Sequence, residues 1–241
     1  MQGFKGIARY LASRVLSVGL LSLPGLCLAQ EVDAPRPQGG SGSVLAPSEY
    51  LNLIVPVDDR IALKLYGFHI GELGAPSAQV DVPIRMTKLL TITPSYLYYS
   101  VPSSGLDELA NRPGAFTDSY QEHQFRVDAE LKSTIRGFEL SGRNMYVRRF
   151  RPAPAADGDR YRGRIRIAHP IAVKGHIWKP FASYEAFYDH NNGGWDKDRI
   201  WTGVTLPLAK RVWVEPSYLW ERSDKLKTVN YLLFGLIVRT K

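Results

Sequence analysis

A chain of 241 residues with 44% hydrophobic and 22% charged residues and a net charge of +8 is long enough for a domain with a substantial core. Its composition is too even for disorder or collagen-like repetition. A mean hydropathy of -0.19 excludes a bundle of apolar membrane helices, but not a membrane barrel, whose strands alternate apolar and polar residues and average out as hydrophilic.

The first thirty residues read as an export signal. Lys5, Arg9 and Arg14 form a positive front with no acid before Glu31, and residues 15–28 are almost uninterruptedly apolar. Cys27-Leu28-Ala29 supplies small residues three and one positions before a cut, so residues 1–29 are the expected signal peptide and Gln30 the expected mature start. Lipid attachment at Cys27 is the rival reading, but Leu26 is larger than the small residue such sites want. Cleavage removes the chain's one cysteine, so no disulfide, thiol nucleophile or thiolate metal site is expected. It also lowers the net charge to +5, a modest excess that does not point to nucleic acid.

Residues 30–48, with Pro35, Pro37, Pro47 and the run Gly39-Gly40-Ser41-Gly42-Ser43, read as a flexible lead-in, and a barrel is expected over 49–241. Strands are predicted at 50–55, 60–71, 78–85, 88–100, 120–132, 134–150, 160–168, 176–189, 197–208, 210–221 and 227–239, with no convincing helical stripe anywhere. In 120–132, Glu122, Gln124, Arg126, Asp128 and Glu130 share one face; His123, Phe125, Val127, Ala129 and Leu131 share the other. In 160–168, Arg160, Arg162, Arg164 and Arg166 line up opposite Tyr161, Gly163, Ile165 and Ile167.

Short turns, near 57–59, 86–87, Ser133, 173–175 and Ala209, alternate with longer loops at 72–77, 101–119, 151–159, 190–196 and 222–226. Tight periplasmic turns and longer external loops are the signature of outer-membrane barrels. A proline triplet precedes four of the short turns: Val55-Pro56-Val57, Val82-Pro83-Ile84, His169-Pro170-Ile171 and Leu206-Pro207-Leu208. Pro94, Pro180 and Pro216 fall inside predicted strands, where bulges or early ends are expected because proline removes a ladder donor.

Most predicted strands have the 9 to 11 or so residues that cross a hydrocarbon layer at a tilt, and a row of four arginines cannot face lipid. The expected fold is therefore an all-β, antiparallel transmembrane barrel of about ten to twelve strands. The stretch from Arg162-Gly163-Arg164-Ile165-Arg166 through Tyr184-Glu185-Ala186-Phe187 and Asp198-Arg199-Ile200-Trp201-Thr202-Gly203-Val204 to Glu215-Pro216-Ser217-Tyr218 resembles the bacterial outer-membrane proteins of domain-of-unknown-function family 2490. That resemblance, over about 50–239, implies an outer-membrane barrel and no established activity.

Inward charges are expected at Arg126, Asp128, Glu130, Arg143, Arg162, Arg164, Arg166, Glu185, Arg199 and Glu215. In a narrow lumen they either pair into a structural network or line a constricted pore that favours anions. His69, His123, His169, His176 and His190 show no metal-ligand spacing, so neither a metal nor a cofactor is expected. No Gly-x-Ser-x-Gly elbow is present, and no catalytic residue is assigned. The best reading is a passive, narrow porin-like or structural barrel in the outer membrane. Its partners are the membrane lipids, the insertion machinery during assembly and an unidentified solute, and its loop 101–119 is available for external contacts. The alternatives are an outer-membrane lipid-modifying enzyme, using His123 with Ser119 or Ser103, and a soluble β-barrel that binds an apolar ligand.

Overall fold

The structure, a computed structural model, describes residues 43–71, 73–110, 118–151, 157–224 and 226–240. The expected signal peptide and the start of the lead-in lie outside the described residues. The elements are β1 (Ser43–Pro56), β2 (Ala62–Ile70), β3 (Ala75–Asp81), β4 (Ile84–Arg85), β5 (Leu90–Val101), α1 (Ser103–Ala110), β6 (Tyr120–Ile135) and β7 (Phe138–Phe150). They continue with β8 (Gly158–Ala168), β9 (Ile171–Val173), β10 (His176–Asp189), β11 (Gly194–Ala209), β12 (Val212–Ser223) and β13 (Thr228–Arg239). β1 begins inside the segment read as a flexible lead-in. Val44, Ala46 and Ser48 alternate inward there against β13, an apolar/small period that Pro47 and the neighbouring glycines and serines conceal in the sequence.

Strands run up and down in chain order, and β10 pairs with β11, so the sheet closes. β3 with β4 forms one stave against β5, and β8 with β9 another against β10, giving eleven staves among the described residues. An odd number of alternating strands brings the first and last together pointing the same way. β1 and β13 accordingly pair in parallel, from Ser43 opposite Thr228 to Ile54 opposite Arg239. The barrel is antiparallel as expected, with eleven strands in the expected range, and this one seam is its parallel pair among the described residues.

The two faces are inverted relative to a water-soluble barrel. In β6, Phe125 and Val127 are 56% and 53% exposed on the outside, while Glu122 and Arg126 are 0% and 6% exposed on the inside. Ile165, Leu232 and Phe234 continue the outward apolar belt. A soluble barrel has to place those side chains inward, so the exchange of faces removes the soluble alternative.

Two of the strand prolines sit opposite breaks between paired segments of the neighbouring stave. β5 and β10 run straight through Pro94 and Pro180, contrary to the expected interruption. Pro94 lies across from the break at Val82-Pro83, whose Val82 N–H reaches the Pro94 carbonyl at 3.0 Å. Pro180 faces the break at His169-Pro170 in the same way, with the His169 N–H on its carbonyl at 3.1 Å. Each of these prolines withholds one donor from the neighbouring stave, while its own carbonyl still accepts an N–H from it. Near Pro216 the pairing of β11 with β12 lapses between Gly203 opposite Ser217 and Leu206 opposite Val214, and β11 bulges after Pro207.

The hairpin turn expected at Ser133 forms at Arg136 and Gly137, whose φ values of 51° and 84° suit a two-residue turn of the primed type; Lys174 and Gly175 repeat it at 48° and 81°. The Asp58 carboxylate accepts the Arg60 and Ile61 N–H groups, each at 2.7 Å, which fixes the turn at 57–61 and holds its carboxyl below the usual carboxylate range.

At the seam, the Tyr50 ring occupies the space that a side chain at Gly235 would fill, and its hydroxyl donates to Glu215 Oε1 at 2.7 Å. Gly235→Val displaces Tyr50 and is expected to cost about 1–3 kcal/mol of overpacking strain. Urea unfolding of the detergent-folded barrel, followed by heat-dependent gel mobility, measures this; an unchanged midpoint would show that the seam does not depend on this contact.

Candidate functional site

Alternation directs the even-numbered residues of β6 and β8 and the odd-numbered residues of β7, β10 and β12 into the lumen. Register then aligns Glu130, Arg143, Arg164, Glu185, Arg199 and Glu221 as direct cross-strand neighbours along six strands. Arg143 donates to Glu185 at 2.7 Å, Arg162 reaches the same carboxylate at 3.0 Å, and Arg199 approaches it at 3.9 Å. Arg164 donates to Glu130 at 3.2 Å, while Glu130 also holds Lys132 at 2.8 Å. Arg199 and Lys197 both bond Glu221. The belt balances three arginines against three acids, and Glu185 is the carboxylate on which most of it converges.

Toward the long-loop rim lies a second charged layer, which the sequence reading did not assemble. Arg149 bridges Glu122 at 2.7 Å and Asp189 at 3.1 Å; Arg160 bridges the same Asp189 at 3.1 Å and Asp196 at 2.8 Å. Tyr120 and Gln124 complete the coordination of Glu122. Alternation is the signal that could have found Arg149 and Glu122, since they share faces with Arg143 and Arg126. Their partnership with Asp189 and Asp196 depends on how the sheet wraps.

The opposite wall of that rim is apolar. Helix α1, within the loop expected to be wholly external, turns Leu106 and Leu109 onto Val44, Leu73, Ala75 and Val101. Leu109 also packs on the cluster of Ala46, Val229, Tyr231 and Leu233, and its carbonyl accepts the Lys227 N–H at 3.0 Å. A Cβ at Gly105 would stand 2.5 Å from the Leu73 carbonyl, so glycine lets the helix seat. Eight residues carry too little periodicity to announce themselves in sequence.

A cavity of about 730 Å³ lies within the lumen, lined by the belt and by residues toward the short turns. All eight residues singled out as the lumen set, Arg126, Arg143, Arg162, Arg164, Arg166, Glu185, Arg199 and Glu215, line it, with ten basic and six acidic side chains in all. Lys132 and Lys179 at the short-turn rim are 59% and 37% exposed, which marks that end as the open one. The charges are unevenly matched. Arg126 has only amide partners, Gln124 at 2.9 Å and Gln79 at 3.2 Å, and Arg166 lies over the Phe181 ring at 3.9 Å. Neither is ion-paired with a carboxylate among the described residues. Glu215 is engaged by Tyr50 and Thr205, both neutral.

His123 is on the outer face, as expected, but its Nδ1 bonds the Tyr96 hydroxyl at 2.6 Å, not a serine, among Tyr98 and Phe125. Among the described residues, no group of three or more His, Cys, Asp and Glu side chains is placed to hold a metal ion.

A closed sheet with apolar residues outward and an ionic interior defines an outer-membrane-type β-barrel. The chain belongs to the family described as protein of unknown function (DUF2490), which matches residues 69–231. Among solved structures it is similar to the outer-membrane expressed OmpT of Vibrio cholerae, at 15% identity and a TM-score of 0.41, covering 72% of this chain and 57% of that one. The in-vitro folded trimer form of that OmpT gives 15% identity and 0.41, covering 71% and 57%. The chain thus spans somewhat over half the length of these structures. No curated protein matches it.

Removing Glu122 leaves the buried Arg149 to share Asp189 with Arg160, two cations on one carboxylate, so Glu122→Ala is expected to destabilise the barrel by about 3 kcal/mol. Arg166→Gln, which breaks no ion pair, is expected to cost about 1 kcal/mol or less, mainly its contact with Phe181. Denaturant titrations of both variants in the same micelles compare them. Equal losses would show that the outer-rim network is not held by charge pairing.

Proposed function

We propose that the protein is a passive outer-membrane barrel of the porin-like kind, a narrow channel held closed at its external rim. It is exported by residues 1–29, inserted by the barrel-assembly machinery and surrounded by outer-membrane lipids. Its short turns lie in the periplasm and its longer loops outside. The observation that carries this reading is the asymmetry of the lumen. Helix α1 and the Glu122–Arg149–Asp189 layer fill the outer end, whereas a water-accessible vestibule with ten basic and six acidic side chains opens at the other. A core built only to rigidify the barrel has no use for cations left without counter-charges, whereas an anion path does.

Planar-bilayer recording tests it. The wild-type barrel is expected to conduct weakly, and Leu106→Asp with Leu109→Asp, which unseats α1, is expected to raise conductance several-fold with a preference for anions. Gly105→Val displaces the same helix without adding charge and should act in the same direction. If both variants fold, judged by heat-dependent gel mobility, and neither conducts above the bare membrane, the channel reading fails and a structural barrel remains. Cell fractionation with N-terminal sequencing checks the location: the protein is expected in the outer membrane, starting at Gln30.

A further inference from the structure

The row next to the charge belt is built differently. Register places Lys132, Ser141, Arg166, Ser183, Trp201 and Leu219 as cross-strand neighbours from β6 to β12, one alternation closer to the open rim. Arg166 is the central cation, and no carboxylate flanks it. Its guanidinium is held flat by Phe181 at 3.9 Å and stands 6.0 Å from the Trp201 ring. Stacking fixes the plane and leaves the N–H edges available. On either side the Ser141 and Ser183 hydroxyls face the cavity, and beyond Ser183 the indole Nε1–H of Trp201 is buried without an acceptor. The acids that line the same end are engaged elsewhere: Glu130 by Lys132 and Arg164, Glu139 by Lys179 at 2.8 Å, and Glu215 by Tyr50 and Thr205.

An arginine edge, two hydroxyls and a buried indole N–H are thus gathered along one wall of the cavity, with no carboxylate in the row. The Trp201 indole N–H is the buried donor without a partner, a state that costs about 1–3 kcal/mol, and the Arg166 edge and two hydroxyls beside it line the cavity, where a ligand can supply acceptors. We propose that this row is a binding site for a tetrahedral oxyanion of the phosphate or sulfate type, entering from the short-turn rim. A bidentate contact from Arg166, with Ser141 and Ser183 donating to the remaining oxygens and Trp201 closing the far side, suits the spread of acceptor oxygens on a tetrahedral anion better than the two coplanar oxygens of a carboxylate. Excess positive charge in the vestibule raises the local anion concentration; the hydroxyl and indole donors supply selectivity among anions. This site deepens the reading of the lumen as an anion path, but it needs only the open vestibule, so it is filled whether or not α1 ever moves.

The test is calorimetric titration of the detergent-folded, full-length mature barrel with inorganic phosphate, sulfate, acetate and chloride at matched ionic strength. Saturable binding of phosphate or sulfate, at least tenfold tighter than acetate or chloride, is expected. Arg166→Gln is expected to weaken it at least tenfold, and Ser141→Ala with Ser183→Ala about threefold or more. Arg222→Gln, on the exposed outer surface, is expected to leave it unchanged. Trp201→Phe keeps the ring and removes the N–H, so a weakened phosphate affinity in a barrel with unaltered heat-dependent mobility supports the site. No saturable binding to the wild type, or equal response to all four anions, overturns the proposal. Because binding is read on the closed barrel, its failure is separate from a failure to conduct.

Discussion

Hydrocarbon offers no hydrogen bonds to a peptide group, so a sheet immersed in it has to close on itself and leave no edge. In this chain that constraint falls on the meeting of β13 with β1. Eleven alternating staves deliver those two strands in the same direction, and they pair in parallel along the whole of their shared length. The seam has its own lock: Gly235 makes room for Tyr50, and Tyr50 reaches across to Glu215 on β12. The same need for a complete ladder explains the prolines. They are tolerated because Pro94 and Pro180 lie opposite interruptions in the neighbouring stave and their carbonyls still accept an N–H from it.

Closure creates an interior that cannot be treated as an apolar core, because alternation fills it with the polar residues that lipid rejects. The barrel handles these charges in two ways. Near the long-loop rim each arginine bridges two acids, and the desolvated groups are matched. Around Glu185 the matching becomes a belt, with Arg143 and Arg164 side by side across a strand pair and carboxylates on their outer flanks. Beyond the belt, at Arg166, matching stops and neutral donors take over. The lumen is therefore uneven: a doubly bridged ionic layer with a packed helix near the long loops, and at the short-turn rim an arginine without a carboxylate beside the paired Lys132 and Lys179.

Helix α1 packs at the long-loop rim, and it shows how a loop becomes structure without a strong local signal. Leu106 and Leu109 acquire meaning only because the barrel presents Val44, Leu73, Val229 and Tyr231 as a greasy patch inside an otherwise polar rim. Eight residues of weak amphipathicity do not form a helix alone; tertiary burial selects it.

The two-residue period by itself determined which side chains face inward. It named Arg126, Arg162, Arg164, Arg166 and Glu185 as lumen residues, and the rhythm of short turns and longer loops determined the meander. These are local properties, fixed by the pleat and by turn chemistry, and a single strand is enough to read them. Partnership is not local. That Glu185 gathers three arginines, that Arg149 finds Asp189 forty residues away, that β1 runs parallel to β13, and that Arg166 ends beside two serines and an indole were decided by the tertiary structure. The physical reason is register. Which residue stands opposite which depends on turn positions and bulges around the whole ring, and a shift of two residues in any one strand keeps every face assignment while exchanging every partner.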